Sequence, residues 1–265
     1  MARGRRYRKL DFDESFEFIR RNRPEYLRDL HVVPEEDVLK LYKPECLLPG
    51  VAESDPRVEK IMSILRDGGV PPGKMGITGS ILIGLHNQSS DIDFVVYGEN
   101  WWKARDLVSL AKINGDIRDP DEKMWRKIYA KRSPEISFVE FIAHEKRKGN
   151  RGVVDGTYFD LLFTRDWSQI RPNPPGKKIG RRLIVADVID AEFAFDNPAI
   201  FKIDHEIREI HCYTHTYAGQ ALPGERIEAM GVVEETAYGP RLVVGTTRQA
   251  SGEWIRSLTL LDSIS

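Results

Sequence analysis

Met75-Gly76-Ile77-Thr78-Gly79-Ser80-Ile81-Leu82-Ile83-Gly84-Leu85-His86-Asn87-Gln88-Ser89-Ser90-Asp91-Ile92-Asp93-Phe94-Val95-Val96-Tyr97 is the stretch that decides how the chain is read. Gly79-Ser80 is a small-residue turn opening a short apolar helix. His86 to Ser90 is a polar turn, and Asp91-Ile92-Asp93 begins an apolar run. If that run is a strand, side chains alternate between its faces, so Asp91 and Asp93 share one face and Ile92 and Phe94 take the other. Two carboxylates about 7 Å apart along a strand raise each other's pKa unless a cation lies between them. A divalent metal with hard oxygen preference suits such a pair. A helix N-terminus at Gly79-Ser80 offers free N–H groups to an anion.

Working outward, Lys74 to Thr78 reads as a short strand. Asp55 to Leu65 before it reads as a helix, with Pro56 in the first turn and Gly68-Gly69 at the end. Downstream, Trp101 to Leu110, Asp121 to Lys131 and Ile136 to Lys148 have helical patterning. Gly156 to Arg165 is an apolar strand with one carboxylate, Asp160, in its middle. An acid in that setting is costly unless it is paired, hydrogen-bonded or metal-bound. Asp155 lies in the neighbouring Gly-rich turn and ranks lower. Lys146, Arg147, Lys148 and Arg151 cluster around Gly149-Asn150. Such cations contact a triphosphate or a nucleic-acid backbone, or are the solvated end of a helix. His144 in the same run reads as a structural or surface histidine.

The Gly79-Ser80 turn, followed by Asp91-Ile92-Asp93 in an apolar frame, resembles the signature of the DNA polymerase beta-type nucleotidyltransferase superfamily. The resemblance implies that the Gly79 and Ser80 turn holds the triphosphate of an NTP. It also implies that Asp91 and Asp93 hold Mg²⁺ or Mn²⁺, and that Asp160 matches the third metal carboxylate on a neighbouring strand. Asp160 is then the group best suited to help deprotonate an acceptor hydroxyl, and Lys146, Arg147 and Arg151 are candidates to neutralise the phosphates. The chain also resembles an uncharacterised set of archaeal predicted nucleotidyltransferases, through Arg5 to Lys9, Gly79 to Asp93, His144 to Lys148 and Val243 to Trp254.

The flanks are less specific. Residues 1–50 read as a mostly helical extension, with helix starts at Asp13 and Pro34 and a basic head from Arg3 to Lys9 that reads as a solvated tail or a polyanion contact. Arg171 to Lys178 is a Pro-rich basic connection. Beyond it, short strands at Arg182–Phe195, Ala199–Lys202, Glu206–Thr216, Glu225–Glu234, Arg241–Thr246 and Trp254–Leu260 suggest a small closed barrel, OB-like in kind. Arg226, Tyr238, Arg241, Arg248, Trp254 and Arg256 are its candidates for a polynucleotide face, against the alternative of ordinary surface residues. His211 and His215 fall on one face of a single strand, and with no third ligand they read as polar surface; His205 shares the region.

At 265 residues, 31% charged and 41% hydrophobic, the chain can bury a sizeable core in one or two domains. A net charge of −1 leaves no global basic field, so any polyanion site is local. No run approaches the length of a membrane span, and two cysteines without a Cys-x-x-Cys give neither a zinc site nor a disulfide framework. A cytoplasmic protein is expected. The expected architecture is α+β, with a helical extension over 1–50, a polymerase-beta-like nucleotidyltransferase unit over 51–170, and a barrel over 180–265. The expected activity is metal-dependent transfer of an NMP from an NTP to an acceptor hydroxyl, with RNA or another polynucleotide favoured as acceptor and no membrane partner. The rivals are a catalytically inactive fold that binds nucleic acid, and a transferase acting on protein or a small molecule.

Overall fold

In the computed structural model, the described residues are 7–8, 10–28, 30–87, 90–247 and 249–264, with the side chain of Phe12 excepted. Most of the basic head, and Arg248, lie outside them.

Helix α1 (Phe12–Asn22) opens on a capping box between Asp11 and Glu14. The helix expected from Pro34 to Tyr42 is a single 3-10 turn, Glu35–Asp37. Its apolar residues Leu39 and Leu41 face solvent, so no packing supports a longer helix. Helix α2 (Pro44–Ser54) was hidden by Pro49 and Gly50, which read as breakers. It forms because it packs on β1 (Met75–Thr78), across the boundary placed at residue 50.

Helix α3 (Pro56–Asp67) starts on Asp55, whose carboxylate accepts from the Arg57 N–H. After β1 come the one-turn helix α4 (Gly79–Leu82), β2 (Ile92–Tyr97) and α5 (Asn100–Ile113). Helices α6 (Glu122–Arg132) and α7 (Phe138–Lys148) follow, then β3 (Arg151–Val154) and β4 (Thr157–Thr164). Asp155 and Gly156 both have positive φ, as a tight hairpin turn between β3 and β4 requires. The four strands order as β1-β2-β4-β3, with β2 and β4 parallel and the other pairs antiparallel. Ile92, Phe94, Val96, Phe159 and Leu161 are buried in the core shared with α3 and α5. Alternation turns Asp93, Val95, Tyr97 and Asp160 to the opposite face.

The rest is β5 (Lys177–Asp190), β6 (Ala199–Asp204), β7 (Glu209–Cys212), β8 (Arg226–Thr236), β9 (Gly239–Val244), β10 (Trp254–Ser257) and the short α8 (Leu258–Asp262). Strands β5, β6, β7, β9 and β8 pair in that order, and β8 returns to β5, closing a five-stranded barrel. The β7–β9 pair is parallel, and β10 extends β8 outside the closed ring. The barrel docks on the helices through aromatic and polar contacts. Trp101 of α5 lies 4.2 Å from the Phe195 ring, and the Tyr217 hydroxyl accepts from the Glu135 N–H at 2.9 Å. Among the described residues, no helix is long and apolar enough to cross a membrane. Cys46 and Cys212 are both free.

Candidate active site

The pairing register assembles the site. Thr78 of β1 sits opposite Asp93, Asp93 opposite Asp160 of β4, and Asp160 opposite Arg151 of β3. Neighbouring strands lie about 4.8 Å apart, so the four residues form a row across one face of the sheet. Gly79 follows at the end of this row with φ +67°. A Cβ there would come within 2.3 Å of Asp93 Oδ2, so the turn is closed against the carboxylate and only glycine fits.

The row floors a cleft of about 940 Å³. Its walls come from the sheet, from Lys131, Arg132 and Lys148 at the ends of α6 and α7, and from the barrel segment containing His215 and Thr216. Asp91 precedes β2, is exposed, and lines a neighbouring groove that also reaches Asp160. Among the described residues, no three His, Cys, Asp or Glu side chains converge closely enough to hold a metal as they stand. The donor chemistry nevertheless fits a hard divalent cation: Asp93 and Asp160 are in register, and Asp91 is one step away. Both hydrogen bonds that Asp160 accepts from described residues fall on Oδ1, from Arg151 Nε at 2.6 Å and from the Tyr158 hydroxyl at 3.1 Å.

Behind Asp160 is a buried charge cluster that the sequence reading did not anticipate. Glu145 is fully buried; it pairs with Arg151, accepts from Lys148 Nζ at 2.7 Å, and lies 3.7 Å from Arg132. Lys148 Nζ also donates to the Thr216 carbonyl of the barrel at 2.9 Å. Burial pushes the Lys148 ammonium well below its ordinary value, with Arg132 adding to the effect. Burial and the neighbouring Arg151 bring Arg132 down to about 10. Burial alone would raise the Asp160 carboxyl, but Arg151 and Arg132 outweigh it and hold it below the usual carboxylate range.

Of the sequence candidates, the structure brings together Gly79, Asp93, Asp160 and Arg151, with Asp91 at the rim. Ser80 is half-buried in the first turn of α4. That helix has four residues, so an anion there would rest on free N–H groups rather than on a summed dipole. Lys146 is exposed and does not line the cleft. Arg147 turns to the barrel, pairing with Glu225 and donating to the Gln220 carbonyl at 2.6 Å. Helix phase separates these residues. Phe141, Glu145 and Lys148 share the buried face of α7, which leaves Lys146 outside. That phase was available from the spacing of the apolar positions; Arg132 at the end of α6 carried no sequence signal.

His144, His205 and His211 make local structural contacts, and His215 lies in the cleft wall. His144 is buried, its Nδ1 2.7 Å from the Glu140 carbonyl, and its Nε2 accepts from the Ser257 N–H at 2.9 Å. Burial lowers it to about 4. Strand β7 ends at Cys212, so His211 and His215 do not share a strand face; His211 meets Glu209 at 2.8 Å. His205 accepts from the Ile207 N–H in the β6–β7 turn. The barrel candidates do not form one open basic face. Arg241 is buried against Glu234, and Arg256 and Trp254 both engage Glu228. Arg226 and Tyr238 remain exposed.

Residues 58–148 match the family model described as a nucleotidyltransferase domain. That span includes Gly79, Ser80, Asp91 and Asp93 and stops before Arg151 and Asp160. The chain is 39% identical over 249 residues to an uncharacterised protein of the archaeon Methanocaldococcus jannaschii, covering 86% of this chain and 73% of that one. No solved structure matches.

Proposed function

We propose that this chain, which belongs to the nucleotidyltransferase family, moves a nucleoside monophosphate from an NTP to an acceptor hydroxyl with release of pyrophosphate. The observation that carries this reading is the in-register pair of Asp93 and Asp160 on the cleft floor, with Gly79 closed against Asp93. Asp91, Asp93 and Asp160 would hold Mg²⁺ or Mn²⁺. When bound, such ions supply charge stabilisation to the phosphates and to the attacking and leaving oxygens.

The chain's own residues do the rest. The Gly79-Ser80 turn presents N–H groups to the β- and γ-phosphates. Lys131 and Arg132 line the same cleft and offset phosphate charge, in place of Lys146 and Arg147, while Lys148 is held by Glu145 and the Thr216 carbonyl. Arg151 fixes the Asp160 carboxylate and keeps it ionised at neutral pH, as a metal ligand requires; the same shift makes it a weaker base for the acceptor proton. The barrel segment at His215 and Thr216 walls the cleft and limits its water.

The transferase unit runs from α2 to about residue 170, because α2 packs on β1. The barrel unit follows over 180–265 and the extension precedes α2. The strand order and the parallel β7–β9 pair support an OB-like barrel. A polynucleotide is the favoured acceptor.

Calorimetry of NTP binding, with Mg²⁺ or Mn²⁺ and with chelator, tests the reading. Wild type should bind only with metal, and Asp91→Asn/Asp93→Asn should lose binding. Absence of binding in both proteins would leave the inactive, nucleic-acid-binding fold as the better account.

A further inference from the structure

We infer that helix α6 is a track for the acceptor: a single-stranded polynucleotide lies along its Lys123, Lys127 and Lys131 face, with its hydroxyl-bearing end at Asp91 and Asp160. The inference rests on the transferase reading with its polynucleotide acceptor, and adds that the strand is single and the path it takes.

The spacing of the lysines is the first observation. Residues four apart on a helix share a face and rise about 6 Å, close to the interval between successive phosphates on a stretched strand. All three lysines are exposed, and among the described residues none makes an ion pair, whereas Arg126 on the same helix pairs with Glu122 at 2.6 Å. Like charges at that spacing destabilise an isolated helix, and only Lys131, in the last turn, suits the helix dipole, so Lys123 and Lys127 are not explained by helix stability.

The second observation is where the row leads. The three lysines line a groove of about 600 Å³ that includes Asp91 and Asp160, the acids of the candidate site. Met124, Ile128 and Tyr158 form its partly buried floor. An apolar and aromatic floor beside a cationic rail is the arrangement that holds bases and backbone of a single strand without sequence choice. The row is about 12 Å long by the helix rise, which favours several linked phosphates over one small anion.

The third is rigidity. Buried Trp125 meets Phe141 edge to face at 6.2 Å, and the Tyr129 hydroxyl donates to the Ile136 carbonyl at 2.8 Å. These contacts fix the rotation of α6, so the lysine face is presented in one orientation.

The test uses the full chain and fluorescence anisotropy of short, 5′-labelled single-stranded RNA and DNA over a range of salt. Lys123→Gln/Lys127→Gln is the variant, because Lys131 also lines the main cleft. Each lost phosphate contact removes about 0.7 from the slope of log affinity against log salt, so the double variant should be shallower by about 1.4 and on the order of 25-fold weaker at 0.1 M salt. Its metal-dependent NTP binding by calorimetry should match wild type. Unchanged oligonucleotide affinity and slope in the variant overturn the inference. So does wild-type binding of polyglutamate as tight as that of the oligonucleotides, which would mark a surface for acidic protein. A wild type that binds NTP but no oligonucleotide sinks this inference alone; one that binds neither sinks the transferase reading with it.

Discussion

The four-stranded sheet and the barrel treat charge in opposite ways. In the barrel, Arg241 lies against Glu234, His211 against Glu209, and Arg256 between Glu228 and Glu140 of α7. These side chains have local partners, and the result is fold and docking. On the sheet, two acids are set side by side in register, with cations gathered behind one of them. Adjacent carboxylates raise each other's free energy until a cation joins them. Like charges held together, rather than the number of charges, separate the reactive face from the structural one.

The hardest blow to that contrast is Asp93→Ala. If the row is the reactive centre, loss of one carboxylate should remove several kcal/mol of charge stabilisation, about a thousandfold or more in transfer rate. Circular dichroism and the unfolding midpoint should stay near wild type, because relieving the repulsion from Asp160 does not weaken the core. Wild-type turnover in a folded Asp93→Ala protein would show that the paired acids are not the centre.

The cluster behind the row comes next. Glu145 is fully buried and faces Arg132, Lys148 and Arg151. Removing one partner from a buried ionic group leaves uncompensated charge and typically costs about 3–5 kcal/mol. Glu145→Ala should therefore lose that much in urea or guanidinium unfolding. The loss would identify the cluster as the support that holds Arg151 on Asp160. A change under about 1 kcal/mol, the usual surface value, would mean the cations reach solvent instead.

These two regions also differ in how far the sequence exposes them. The carboxylate row was legible because a period of two and an apolar frame fix which way Asp93 and Asp160 face. Their register was not legible, since it depends on how β4 docks beside β2 after three intervening helices. Asp155-Gly156 between two apolar runs is a hairpin signal that would have given β3, and with it Arg151 opposite Asp160. The charged run from His144 to Arg151 reads alike at any rotation of its helix; only the phase set by Phe141 sends Lys148 inward and Arg147 to the barrel. The barrel's strands were legible from turns and alternation. Which of its arginines are paired was not legible, because the partners of Arg241 and Arg256, namely Glu234, Glu228 and Glu140, come from other strands and from α7.

A pH experiment sharpens the contrast at the seam between the two regions. His144 of α7 accepts the Ser257 N–H of the barrel and is neutral when it does so. Its folded value of about 4 lies below the usual 6.5 of an unfolded histidine. The unfolded chain therefore binds the extra proton first. The contribution is complete above about pH 6.5 and is lost as the pH falls toward 4, by about 3 kcal/mol in all. Stability measured at pH 7 and at pH 4.5 should fall more steeply in wild type than in His144→Gln. Equal slopes would mean that the histidine is hydrated and the seam is looser than its hydrogen bonds imply.

The smallest effect expected is at Arg256, and it bears most directly on what the barrel's charges do. Its guanidinium joins Glu228 of β8 to Glu140 of α7 at 2.7 Å and is one-third exposed. Solvent screens such a pair, so Arg256→Ala should lose no more than about 1 kcal/mol of stability. If Arg256 is a docking residue, oligonucleotide affinity and its salt slope should stay unchanged in this variant, while Lys123→Gln/Lys127→Gln weakens both. A drop in affinity from Arg256→Ala equal to that of the α6 variant would place nucleic acid on the barrel. The division between a reactive sheet and a structural barrel would then be drawn in the wrong place.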